Sequence, residues 1–298
     1  MHRSRTARCA RRGLAASLAV GALLTALTTA TPAFADTSTA AAQDSRVVCT
    51  SRTPGLAPAL SRDIARALAP RQGDSALALY DRHTRTHCEF NSHARFDSAS
   101  VVKVTVLGAL LRQAEEAHRE LTPDEVKLTT AMITKSDNAS TSTLWRRIGP
   151  GGIKHFLALA HLRHTVPGPG TTWGLTQTTA GDQLALMQLL TTENPVLSPA
   201  SRGYALGLMR HVAPDQRWGV PAGTPATATT EVKNGWLPRA TDGWRVHSIG
   251  SFTGHGHDYG MAVLSSGNRT MGDGITTIEG ASRVIHRDLS RTPSPASR

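Results

Sequence analysis

The chain has 298 residues, of which 39% are apolar and 4% aromatic, and it carries a formal charge of +11. Such a length suits one large domain, or one domain of two lobes, with ample material for a core. Scarce aromatics and the lack of a basic run beyond the first residues exclude a nucleic-acid partner, and no segment after residue 35 is long and apolar enough to predict stable membrane insertion.

Much of the basicity lies at the start. Arg3, Arg5, Arg8, Arg11 and Arg12 come without an acid, an apolar stretch runs from Leu14 to Leu27, and Ala33-Phe34-Ala35 closes it. This order predicts a secretory signal peptide over residues 1–35 and a product that is extracellular or associated with the cell wall. The Arg11-Arg12 pair admits a twin-arginine route beside ordinary secretion. Cleavage after Ala35 would leave 263 residues with a formal charge of +6, which suits a polyanionic wall and a solvated surface equally well. Cys9 leaves with the signal. Cys49 and Cys88 remain, and in an oxidising compartment they either form a disulfide or stand as separate thiols.

Residues 36–46 are small and polar and read as a flexible N-terminus, as do residues 291–298 at the other end. Leu56, Leu60, Ile64, Ala67 and Leu68 recur at helical spacing after Pro54 and predict a first amphipathic helix. Ser75 to Tyr80 and Arg85 to Phe90 read as strands around the polar turn 81–84. The β-branched run from Val101 continues into Arg-Gln-Ala-Glu-Glu, which favours one long helix with a buried beginning. Thr122-Pro123-Asp124-Glu125 is a helix start, and further helices are predicted near 139–148, 152–163 and 178–191.

After Pro225 the pattern changes to three extended runs, Ala228 to Leu237, Trp244 to Thr253 and Tyr259 to Ser265, followed by a helix near Ile275 to Leu289. The predicted fold is α/β of the α+β type: an antiparallel five-stranded sheet built from both chain ends and flanked by helices, with an all-helical subdomain inserted. The domain spans 47–290, with a sheet lobe over 47–97 and 200–290 and a helical lobe over 98–199.

Three short segments carry chemistry. In Ser100-Val101-Val102-Lys103 a hydroxyl at a helix start lies one turn from an amine, and the valines exclude water. Desolvation lowers a lysine pKa, so Lys103 could take the Ser100 proton. In isolation the tetrapeptide reads more simply as a Ser near a helix start and a Lys reaching the surface, since so short a pattern recurs by accident. Ser136-Asp137-Asn138 falls between helices, where any of the three could merely cap a helix. Alternatively Ser136 relays a proton to a leaving nitrogen, Asn138 holds a substrate carbonyl, and Asp137 braces the loop. Lys233-Asn234-Gly235 ends a β-branched run: Lys233 could attract a carboxylate, Gly235 admits a ligand to the backbone, and the N–H groups of Trp236 and Ser100 could form an oxyanion hole. A surface lysine before a turn is the bland alternative.

Taken jointly and in this order, the three segments resemble the signature set of class A β-lactamases and penicillin-binding proteins. The resemblance covers most of the mature chain: Phe96 to Leu111 is similar to the nucleophile helix, Met132 to Trp145 to the second motif, and Val232 to Ser265 to the sheet. It implies that Ser100 is acylated, Lys103 is its base, Ser136 the shuttle, Asn138 an amide contact and Lys233 the carboxylate clamp. Asn234, Gly235 and Trp236 join the substrate-binding set, with Arg245 as the assisting cation of the second sheet strand. No cofactor is implied. The implied partner is a small-molecule β-lactam or a peptidoglycan peptide, met by a monomer.

Three departures from the pattern matter. Asn234 stands where the family shows Thr or Ser, and the stretch between the first two motifs is short. From Ala139 through Gly181 there is no Asp or Glu, whereas class A enzymes carry a Glu there that activates the deacylating water. Gln177 could position water but cannot act as its base; Lys103, His161 or His164 could substitute. Acylation therefore looks better equipped than hydrolysis. Rival readings are a D-alanyl-D-alanine peptidase or transpeptidase, a penicillin-binding sensor with little turnover, and a metal hydrolase built on His255-Gly256-His257-Asp258, which otherwise reads as a polar turn.

Overall fold

The computed structural model describes residues 35–291. The signal peptide expected over 1–35 and the tail expected over 291–298 lie outside these residues, apart from Ala35 and Arg291. Strands β1 (Asp36–Ala42), β2 (Ser45–Ser51), β3 (Asp74–Asp81) and β4 (Thr86–Phe90) come from the first third of the chain. Two short strands, β5 (Phe96–Asp97) and β6 (Gln177–Thr178), pair with each other. Strands β7 (Thr229–Arg239), β8 (Gly243–Gly254) and β9 (His257–Asn268) form the expected meander. The helices are α1 (Leu56–Leu68), α2 (Val102–Glu116), α3 (Pro123–Thr134), α4 (Asn138–Leu159), α5 (Ala180–Thr191), α6 (Pro199–Arg210) and α7 (Met271–Ser290).

The main sheet is antiparallel with strand order β1-β2-β4-β3-β9-β8-β7. It has seven strands where five were expected, because residues 36–46 are not loose. Asp36 through Ala42 pair in full register with Ser51 through Ser45, around a turn in which Gln43 takes φ 49°. Thr, Ser and Ala give this strand little apolar contrast, yet Ala42 is fully enclosed and Ala40 packs on the core. Cys49 and Cys88 lie directly opposite on β2 and β4 and form a disulfide.

Local sequence explains the layers. On α1, Leu56, Leu60, Ile64 and Leu68 repeat every fourth residue and are buried, so that helix packs its apolar stripe beside α7 on one face of the sheet. Helix α5 covers the other face, against β3 and β9. Helix α2 is apolar nearly all round and forms the axis of the helical lobe, against α4. The contact is close at Gly108, where a Cβ would come 2.3 Å from the Phe156 ring. The two helices expected over 139–148 and 152–163 are the halves of α4, broken where Gly149 adopts φ 70° ahead of Pro150. Thr122 and Glu125 form a capping box at the start of α3. Among the described residues no helix is long and apolar enough to cross a membrane.

Candidate active site

Ser100 sits in a 3-10 turn, Ala99–Val101, that leads into α2. Two contacts and one backbone angle define the turn. The Ser98 N–H donates to Thr176 O at 2.7 Å, Ala99 is held at φ 47°, and β7 runs alongside. At Gly235 a Cβ would lie 2.8 Å from the Ser100 nitrogen and 2.9 Å from that of Val101, so only glycine lets β7 approach. The β7 backbone at Gly235 is thereby packed against the backbone of the turn that bears Ser100.

Lys103 is on the first turn of α2 and fully buried. Its Nζ lies 2.6 Å from Ser136 O, 2.9 Å from Ser136 Oγ and 2.8 Å from Asn138 Oδ1. Ser136 can offer both its atoms to one amine because its backbone turns left-handed, φ 54°, between α3 and α4. Lys233, also fully buried, donates to Ser136 Oγ at 3.1 Å and to Asn234 O at 2.7 Å. The Ser136 hydroxyl thus joins an amine of the helical lobe to one of the sheet. Ser100 is half-buried, and its hydroxyl has no hydrogen bond among the described residues, so Lys103 touches Ser136 and Asn138 rather than Ser100. Catalytic hydrogen bonds commonly close only once substrate is bound.

Burial pushes the Lys103 amine down to about 7, against the opposing pull of the Asp137 carboxylate. Burial also lowers Lys233 well below the ordinary lysine value, and the neighbouring Lys103 charge lowers it further. A neutral Lys103 fits its surroundings. Two N–H groups serve Ser136 O and Asn138 Oδ1, and its lone pair can accept the Ser136 O–H. Asp137 braces the loop from behind, accepting the Ser140 N–H at 2.6 Å as the N-cap of α4.

Other expected residues serve different ends. The Asn234 amide points away from the amines, donating to Gln216 O and Trp218 O at 2.8 Å each, and so ties β7 to the preceding loop. Arg245 is largely buried and ion-paired, with Asp97 at 3.6 Å and Asp242 at 3.2 Å. Gln177 donates to the Asp97 carboxylate. His164 holds Asp182 and lies against His93, and His161 is exposed at the end of α4, so neither approaches Lys103 through any contact described. In the cluster 255–258, His255 and Gly256 form the β8–β9 turn, His257 meets Thr227 at 3.0 Å and Asp258 pairs with Arg82. Among the described residues no three His, Cys, Asp or Glu side chains are grouped to hold a metal ion.

Two residues escaped sequence reasoning. His247, opposite Gly235 on β8, accepts the Ser265 N–H on Nδ1 at 3.2 Å, which leaves the proton on Nε2 for Asp97 O at 2.8 Å. Burial depresses it to about 4, so it is neutral near pH 7. Trp173 lies in a short turn between α4 and α5 with its ring centroid 4.9 Å from Lys103 Nζ. Its partners lie 31 and 70 positions earlier, and no local pattern announces them.

The described fold is that of class A β-lactamases. It resembles a variant of the last common ancestor of Gram-negative bacterial class A β-lactamases, with TM-score 0.65, 21% identity, and coverage of 78% of this chain and 98% of the other. A class A β-lactamase from Bacteroides cellulosilyticus gives TM-score 0.70 and 15% identity over 80% of this chain and 100% of its own. A variant of PBP-A, solved as an acyl-enzyme complex with penicillin G, gives 0.68 and 20% over 78% and 97%. A search of curated proteins finds no match. A sequence model of the Beta-lactamase enzyme family matches residues 59–130 and 123–289, and by that match, most of the chain long, this protein belongs to the Beta-lactamase enzyme family.

Proposed function

We propose that this protein is an exported, monomeric serine hydrolase that forms an acyl-enzyme on Ser100 with β-lactams or related amides and releases it slowly. The observation that carries the reading is the buried chain Lys103–Ser136–Lys233 beside a half-buried Ser100. Ser100 Oγ adds to the amide carbonyl as its proton passes to neutral Lys103. Collapse then breaks the C–N bond, and Ser136 hands a proton to the departing nitrogen. Backbone N–H groups of Ser100 and Trp236 would hold the oxyanion, and an incoming substrate carboxylate would restore the charge of Lys233. Asn138, fixed by Lys103, presents its amide N–H to the substrate.

Slow release follows from what surrounds the ester. Residues 139–181 contain no carboxylate, and Gln177, the polar group expected to position water, is occupied by Asp97. The same observation supports a second reading, a D-alanyl-D-alanine peptidase or penicillin-binding sensor. Intact-mass measurement over time after mixing with benzylpenicillin tests both. A transient adduct on Ser100 marks a β-lactamase, a lasting one a penicillin-binding protein, and no adduct refutes the acyl-enzyme reading. Release of D-alanine from a wall peptide separates peptidase from sensor.

A further inference from the structure

The Lys103 amine has three hydrogen-bond partners, all on the Ser136–Asn138 side. In the free protein these three contacts, with Cε, surround the nitrogen; its lone pair opens to Ser100 or to water only when the Ser136 Oγ contact is released, and an aromatic neighbour acts on the amine through its field and its bulk. That neighbour is the Trp173 ring, 4.9 Å away. The ring does not lie there loosely. Its Nε1–H donates to Ser142 Oγ on α4 at 3.0 Å, and the turn that bears it is closed by Leu175 N–H to Thr172 O at 2.9 Å. An indole face attracts a cation through its quadrupole, and its carbon surface excludes water.

We propose that Trp173 is a positioning residue of this site: it strengthens the hold of Lys103 on its proton and keeps bulk water off the amine, so that an ester on Ser100 is protected from water that Lys103 would otherwise activate. The first half concerns the free protein; the second rests on the acyl-enzyme reading. In the guarded reaction water adds to the ester carbonyl, giving its proton to Lys103, and the Ser100 oxygen leaves and is reprotonated, releasing the acid.

The two roles separate by substitution. Trp173→Leu keeps the site dry but removes the quadrupole, which destabilises the ammonium and moves the Lys103 midpoint down by about half to one pH unit. Trp173→Phe retains part of the effect. Trp173→Ala admits water, which re-solvates the ammonium and raises the midpoint.

The test is an NMR titration of the Lys103 side chain, assigned with Lys103→Arg, in the full folded protein and the three variants without any β-lactam. The expected order of midpoints is Leu, Phe, wild type, Ala, from lowest to highest. Superimposed curves overturn the proposal. For the second half, the benzylpenicillin adduct of Trp173→Ala should be lost about a hundredfold faster than that of wild type, the lower end of what a newly admitted general-base reaction supplies; an equal lifetime overturns that half. Should the wild type form no adduct, the acyl-enzyme reading fails alone and the titration still decides the first half. Ser142→Ala releases the ring without removing it and guards against misfolded Trp173 variants. It should shift the titration in the same direction as Trp173→Ala, and an unmoved midpoint counts against the proposal.

Discussion

The Asp97 carbonyl and the His247 imidazole are joined at 2.8 Å, so the short strand before the Ser100 turn hangs from β8, the next-to-last strand of the sheet, by a neutral histidine. Protonating His247 would charge Nδ1 against the Ser265 N–H that it now accepts.

Acid should therefore unfold the protein early. The native His247 is pushed to about 4 from an ordinary 6.5 by burial, and His286, buried beneath Phe252 and Tyr259, likewise to about 4. A depressed histidine leaves stability intact above the unfolded value and removes it as pH falls from 6.5 toward 4. Each site can remove about 3 kcal/mol, at about 1.4 kcal/mol per pH unit. Urea midpoints measured across this window should fall steeply, and His247→Asn should lower stability at pH 7 while flattening the slope.

Acylation should follow the charge of Lys103. With the amine lowered to about 7, the rate of penicillin labelling should rise with pH and reach half its plateau near that value. Lys103→Ala should slow labelling by about a hundredfold or more, within the usual range for loss of a general base. Ser100→Ala should abolish it, and normal labelling of that variant at another residue would refute the assignment.

Gly235 tests the approach of β7 to the turn. A methyl group at this position meets backbone nitrogen at 2.8 and 2.9 Å, where nothing flexible can yield. Gly235→Ala should lose stability by about 1–3 kcal/mol, the usual range for overpacking, and lose labelling out of proportion to it. Thermal unfolding read beside labelling rates separates the two effects.

The disulfide should matter to stability and little to chemistry. Cys49 and Cys88 close a loop of 39 residues at the far side of the sheet from β7. The chain-entropy relation gives roughly 4 kcal/mol for such a loop. Cys49→Ala/Cys88→Ala should unfold at lower denaturant yet label Ser100 at the wild-type rate while folded.

The sequence disclosed what depends on short spacing. Ser100, Lys103, Ser136, Asn138 and Lys233 were legible because their residue types are chemically unusual together, and the structure places all five around one amine pair or its nucleophile turn. Helix α1 and the meander were legible from periodicity. The β1–β2 hairpin was not, since small residues hide which face is buried. Helix α6 had a readable start in Ser198-Pro199, with Ser198 capping the Ser201 N–H, but its weak apolar stripe concealed it. His247, Trp173 and the diversion of Asn234 and Arg245 depend on partners fixed only by the tertiary fold, some of them distant in the chain.

The pairing of β3 with β9 joins Asp74–Asp81 to Tyr259–Ser266. Contacts of such long sequence separation form slowly, because the intervening chain must be closed before they reward it. Lys233 and Gly235 reach the nucleophile turn only through β7, which is anchored to β3 by way of β8 and β9. On the acyl-enzyme reading, a growing chain that has released Ser100 but not yet its last strands therefore holds an inert alcohol, which becomes reactive only when the final third of the polypeptide has taken its place.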